Sequence, residues 1–193
     1  MFPDSPTSPL QNRGRLILET DRLTLRLPTL ADVKNIVGLG NDLRIAEHCR
    51  RLPHPFAHDH AVELVGGERS VFVVEKTQDL LGLIEVEWRE RTIPDVHCWL
   101  GVAHWGLGYA TEAMRAAIDI TFEESDIDQM TASARVANPT ARNLLEKCGF
   151  QWNGVELHRF EALGSSTPVD CFRLGRSVWA SLKSWSSTTR RTV

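Results

Sequence analysis

The sequence predicts a single α/β domain: a mixed sheet of about six to seven strands with helices on both faces. Three observations lead there. Strand-type alternation and helix-type spacing follow one another along the chain, in the order strand, helices, three strands, helix, strand, helix, two strands. The isolated strand between two helices calls for a crossover connection, and the run of three calls for antiparallel pairing. Finally, 193 residues with 42% hydrophobic and 24% charged content suffice for one core without disulfide or metal staples.

Residues 16–27 read as the first strand, with Leu23, Leu25 and Leu27 alternating against Thr24 and Arg26. Pro28 ends it. Thr29 then caps a helix, with Asp32 in the capping-box position and Leu30, Val33, Ile36 and Val37 on one face. Residues 41–50 and 58–65 suggest two further short helices before Gly66-Gly67. Residues 71–75 and 80–88 form a hairpin through a turn at 77–79, and residues 95–102 form the next strand. Gly106 and Gly108 break the chain. Residues 110–124 have helical spacing, with Ala113, Met114, Ala117, Ile118 and Phe122 on one side and Arg115 and Asp119 paired on the other. In residues 130–136 Met130, Ala132, Ala134 and Val136 face one way. Asn138 caps a helix with Pro139 at its first position, and Gly149 stops it. Residues 150–162 and 169–175 close the domain. Residues 1–15 and 186–193 read as disordered tails, leaving 16–185 as one domain.

Composition excludes several classes. A net charge of −3 argues against a sequence-independent nucleic-acid binder. No apolar run approaches the roughly 18 residues of a membrane span, and residues 1–15 show no signal pattern. Cys49, Cys98, Cys148 and Cys171 are far apart and form no CxxC pair, which fits a reducing cytoplasm. His48, Cys49, His54, His58 and His60 cluster around Pro53 and Pro55 without a metal-ligand spacing, so a surface loop and no metal are expected.

The informative stretch is residues 99–113, WLGVAHWGLGYATEA. A strand runs into a loop with two glycines, and a helix starts at once. The free N–H groups of the first helical turn and the helix dipole suit an anion such as a pyrophosphate. No P-loop lysine follows, and the third glycine of a dinucleotide fingerprint is missing. The segment resembles the acyl-CoA-binding motif of the GCN5-related N-acetyltransferases (GNAT), whose pyrophosphate loop has the form Gln/Arg-x-x-Gly-x-Gly/Ala. Here it is Trp105-Gly106-Leu107-Gly108-Tyr109-Ala110. Trp105 in place of Gln or Arg resembles the ribosomal-protein N-terminal (RimJ/RimL-type) branch. So do LETDRLTLR at 18–26, residues 82–86, and NPTARNLLEKCGF at 138–150. The resemblance spans roughly residues 16–180.

It implies an acyltransferase that moves an acetyl group from acetyl-CoA to a primary amine, either a protein N-terminus or a small amine. Trp99, Leu100, Gly101 and Val102 would offer backbone groups to the pantetheine arm, beside a parallel neighbour at 130–136. Trp105, Gly106, Leu107, Gly108, Tyr109, Ala110 and Thr111 would hold the pyrophosphate. Asn138 would bind the pantetheine or thioester end. Arg142 and Lys147 would attract CoA phosphates or simply be solvated. Residues 44–60 would border the acceptor cleft. The base candidates are Asp95, His97 two residues on, and Glu85 or Glu87 on the neighbouring strand. Relatives place an acid hydroxyl where Leu145 or Ala141 stands, so a non-catalytic acyl-CoA-binding module is the alternative. Trp152, Trp179 and Trp185 would either close the core or feed a homodimer contact.

Overall fold

The computed structural model describes residues 17–67, 70–89, 93–183 and 190–192. The tail expected at 1–15 lies outside these residues, as do 186–189 and 193 of the tail expected at the other end.

The first strand of the sequence reading is a hairpin. β1 (Ile17–Glu19) and β2 (Thr24–Arg26) pair antiparallel, with Leu18 opposite Leu25. Between them the Thr20 hydroxyl accepts the Leu23 N–H at 2.9 Å and folds the chain back. Leu18, Leu23 and Leu25 are all buried, so two strands produce the alternation that one strand would have given. Next comes the capping box. Asp32 accepts the Thr29 N–H at 2.7 Å and the Thr29 hydroxyl at 2.9 Å. The Arg26 guanidinium grips both Asp32 oxygens at 2.8 Å and also reaches Glu75. One 3-10 turn at Leu30–Asp32 leads into α1 (Val33–Gly40). The expected helix at 41–50 is a single turn, α2 (Leu43–Ala46), capped by Asp42; α3 (His58–Gly66) follows.

β3 (Ser70–Lys76), β4 (Asp79–Arg89) and β5 (Ile93–Leu100) form an antiparallel meander. A second 3-10 turn, Val102–His104, ends β5 two residues earlier than expected. Then come α4 (Tyr109–Glu123), β6 (Gln129–Arg135), α5 (Pro139–Lys147), β7 (Gln151–Phe160) and β8 (Ser165–Gly175). Val136, past the end of β6, is 49% exposed and leaves the apolar row predicted for it. α6 (Arg176–Lys183) carries no strong sequence signal. It is held because Trp179 stacks on Phe122 at 4.9 Å and donates to Asp119 at 2.7 Å. Asp119 therefore does not pair with Arg115, which donates to the Lys147 carbonyl at 3.0 Å instead. Finally β9 (Arg190–Thr192), expected within a tail, pairs with β1, whose outer edge otherwise offers unpaired backbone groups.

The sheet runs β7-β8-β6-β5-β4-β3-β2-β1-β9. Nine strands replace the six or seven expected, because the first strand is split and β9 is added. Helices cover both faces, as predicted. α4 and α5 pack over Phe72, Ile84, Val86, Val96, Met130 and Phe172. α1 and α3 cover Val71, Val73 and Leu83 on the other face. β5 and β6 are parallel and share a single registered pair, Asp95 with Thr131, so the sheet divides beyond it.

Arg26 hydrogen bonding holds the Asp32 carboxyl at about 2, below its ordinary 3.8, and outweighs the opposing effect of burial; the Thr29 bonds add to it. Its stabilisation is complete above the ordinary value and is lost as pH falls through about 2. Asp32→Asn is expected to remove about 2 kcal/mol at neutral pH. Denaturant unfolding at several pH values should show the gap to the parent closing as pH falls toward 2.

Candidate active site

The glycine loop sits at the C-terminal end of β5. Gly106 and Gly108 have φ of +73° and +81°, where a side chain is strained. Gly108 is the N-cap of α4 and no side chain caps that helix. The Glu112 N–H already bonds the Gly108 carbonyl at 3.2 Å, so the N–H groups of Tyr109, Ala110 and Thr111 are the ones directed at the loop. The Trp105 indole donates to the Leu100 carbonyl at 2.8 Å and ties the loop to the strand end. Leu107 is 51% exposed.

A brace that the sequence reading missed supports this loop. Arg22 donates to the Leu107 carbonyl at 3.1 Å and to Glu112 at 2.7 Å, and stacks on the Tyr109 ring at 4.7 Å. Thr20 and the Arg22 N–H donate to the same Glu112 at 2.5 and 2.8 Å. Lys76 donates to the Tyr109 hydroxyl at 2.6 Å, and Tyr109 itself is buried. Arg22 and Glu112 lie 90 residues apart, and this pairing is invisible to periodicity. Burial raises the Glu112 carboxyl, but the bonds from Thr20 and Arg22 prevail and hold it below its ordinary value.

The base candidates come together on the other side of the β5–β6 junction. Glu85 is registered opposite His97 and Glu87 opposite Asp95, so all four share one face. Asp95 is 4% exposed and accepts the Thr131 hydroxyl at 3.1 Å. His97 Nε2 lies 3.2 Å from Asp95 Oδ2, close enough for an ion pair but not aligned as a hydrogen bond. Glu87 is engaged by Arg51 and lies 3.5 Å from Arg50, and Glu85 lies 4.0 Å from Arg51. Glu87, Asp95 and His97 bring ligand atoms within 4.8 Å of one another, as do Glu156, His158 and Cys171; either set has the donor chemistry for a divalent ion.

The remaining predicted residues are dispersed. The Asn138 side chain accepts the Ala141 N–H at 3.0 Å as the cap of α5, leaving its amide donors. Arg142 is turned to Glu146 at 3.1 Å and Asp170 at 3.4 Å. Leu145 is buried. In the histidine-rich segment His60 accepts the Ala57 N–H and stacks on Phe56, and the histidines do not converge on a common metal position among the described residues.

Comparison with known proteins decides the family. The model of the acetyltransferase (GNAT) domain matches residues 22–151, two-thirds of the chain. The chain belongs to the GNAT acetyltransferase family. It is 25% identical to an uncharacterized N-acetyltransferase p20 of Bacillus licheniformis, over 84% of this chain and 98% of that protein. It is 27% identical to a spermidine N(1)-acetyltransferase of Vibrio cholerae, over 72% and 84%. The crystal structure of spermidine N-acetyltransferase from Vibrio cholerae with CoA and spermine superimposes with a TM-score of 0.72 at 26% identity, covering 83% of this chain and 99% of that one. The GNAT domain is thus an acyltransferase.

Glu112→Gln would leave Arg22 and Thr20 without their anionic acceptor. A loss of about 1.5–3 kcal/mol is expected, measurable as a lower thermal midpoint with the fold retained by circular dichroism.

Proposed function

We propose that this GNAT domain transfers the acetyl group of acetyl-CoA to a primary amine. The observation that carries the reading is the divided sheet: β5 and β6 part beyond Asp95–Thr131, and the gap ends at the uncapped N-terminus of α4. The pantetheine arm would enter the gap along residues 99–102. The pyrophosphate would sit on the N–H groups of the 105–111 loop, and the Asn138 amide would reach the thioester end. Arg142, already held by two carboxylates, braces α5 against β8 rather than binding phosphate.

The amine nitrogen forms a bond to the thioester carbonyl carbon, and the C–S bond then breaks. Asp95 and His97 form the proton acceptor that turns the ammonium into the free amine before it attacks; the second proton, lost from nitrogen as the C–S bond breaks, passes to solvent. Asp95, held by Thr131, is the carboxylate partner 3.2 Å from the imidazole, and His97 carries the proton. Glu85 and Glu87, each facing arginine, are charge partners instead of bases. With Leu145 buried and Ala141 small, the sulfur leaves as a thiolate without a tyrosine or serine acid, which its modest basicity permits. Backbone donors at the β5 end stabilise the oxyanion.

Four free cysteines fit a reducing, cytoplasmic setting. The WGLGYATEA stretch supports placement with the RimJ/RimL-type branch. The exposed Trp152 and Val155 on edge strand β7 favour a homodimer contact, from which Trp179 is excluded by its stacking on Phe122. The missing hydroxyls favour the second reading, a non-catalytic acyl-CoA binder.

Thiol release from acetyl-CoA with a panel of amines separates the two. Turnover is expected; tight acetyl-CoA binding with no turnover would favour the module. His97→Ala is expected to lower kcat about a hundredfold with little change in the KM for acetyl-CoA. Gly108→Val adds a side chain at positive φ, its Cβ 3.3 Å from Arg22, and should weaken acetyl-CoA binding about tenfold by calorimetry.

A further inference from the structure

An open cleft of about 470 Å³ is lined by Arg50, Arg51, Leu157, His158, Arg159 and Glu161, and its link to the acid face runs through Arg50 and Arg51. Its two walls are tied together, since the Glu161 N–H donates to the Arg50 carbonyl at 3.0 Å. The charge is layered. Glu85, Glu87 and Asp95 lie on the strands beneath, while three arginines and a single carboxylate, Glu161, line the cleft. Arg50 and Arg51 bridge the layers, facing Glu87 at 3.5 Å and Glu85 at 4.0 Å. Glu156 holds His158 at 2.9 Å. Arg159 is exposed and has no ion-pair partner among the described residues.

We infer that the acceptor is an amine bearing an anionic group, a carboxylate or a phosphate, on the same small molecule. The inference rests on the acetyl-transfer reading and names the substrate class of that site. The amine would point down to Asp95 and His97, and the anion would stay among the arginines. A planar guanidinium presents paired donors that match carboxylate and phosphate oxygens. Arg159, which makes no ion pair with Glu161 or with the strand carboxylates, supplies the exposed positive charge of the cleft. A polyamine fits this polarity poorly. Once one ammonium reached Asp95, the next would lie among guanidiniums, and like charges set face to face are strongly unfavourable. The two carboxylates on β4 that would otherwise attract a polycation already face Arg50 and Arg51. The spermidine preference of the Vibrio relative therefore does not carry over to this chain.

The test is thiol release by the full chain with acetyl-CoA and four amines: β-alanine, O-phosphoethanolamine, benzylamine and spermidine. The larger kcat/KM is expected with one of the first two, and which of them leads identifies the anion. The anionic-to-spermidine ratio of kcat/KM is expected to fall at least about tenfold in Arg159→Glu, through KM, and to be retained in Arg159→Lys. Spermidine or benzylamine exceeding both anionic amines, or a ratio unmoved in Arg159→Glu, overturns this inference alone. No release with any of the four overturns the acetyl-transfer reading beneath it.

Discussion

One backbone pairing organises the molecule. Asp95 and Thr131 form the sole registered pair of the parallel junction between β5 and β6, with antiparallel strands on either side. A parallel pair needs a crossover, and α4 provides it. Because α4 starts directly after the glycine loop, its N-terminus falls at the C-terminal end of β5, where the sheet opens. Ligands of open α/β sheets bind at such points, outside the carboxyl ends of the strands. The same pair places the residues of the acid face. Asp95 is buried by the junction, its carboxylate is held by Thr131, and His97 is brought two residues on to the same face. The proposed coenzyme loop and the proposed proton acceptor are thus both positioned by one strand crossing.

The anion site proposed at the loop is compatible with a chain of net charge −3. No broad positive field is needed. Positive φ at two glycines exposes the helix N–H groups, and Arg22 and Lys76 stand around the Tyr109 ring behind them. Glu112 sets the position of Arg22 and so fastens the β1–β2 turn to the first turn of α4. On the acid face the balance is likewise local. Arginines from the segment after α2 answer the carboxylates of β4, leaving the buried Asp95 beside His97, the pair proposed to take the proton.

Much of this was legible in the residues alone. Periodicity located every helix except α6, and the alternation in β4 and β5 put Glu85, Glu87, Asp95 and His97 on shared faces. Glycine spacing and the helix start located the loop. What was not legible depended on partners distant in sequence. The turn at Thr20–Leu23 hides within one apolar alternation, because β1 and β2 bury the same kind of residue on the same side. α6 is recruited by Phe122 and Asp119, about 60 residues away, rather than by its own propensity. The contact of Arg142 with Asp170 on β8 crosses 28 residues of sequence and leaves no periodic trace. The Arg22–Glu112 brace joins two motifs whose spacing says nothing about contact.

The account stands on where the coenzyme lies. A crystal structure of the protein grown with acetyl-CoA tests it most directly. The pyrophosphate is expected on the backbone N–H groups at the start of α4, within the 105–111 loop. The pantetheine is expected between β5 and β6, with the thioester beside Asp95 and His97. Density for the coenzyme in another cleft, with the 105–111 loop empty and β5 and β6 closed on each other, would contradict it.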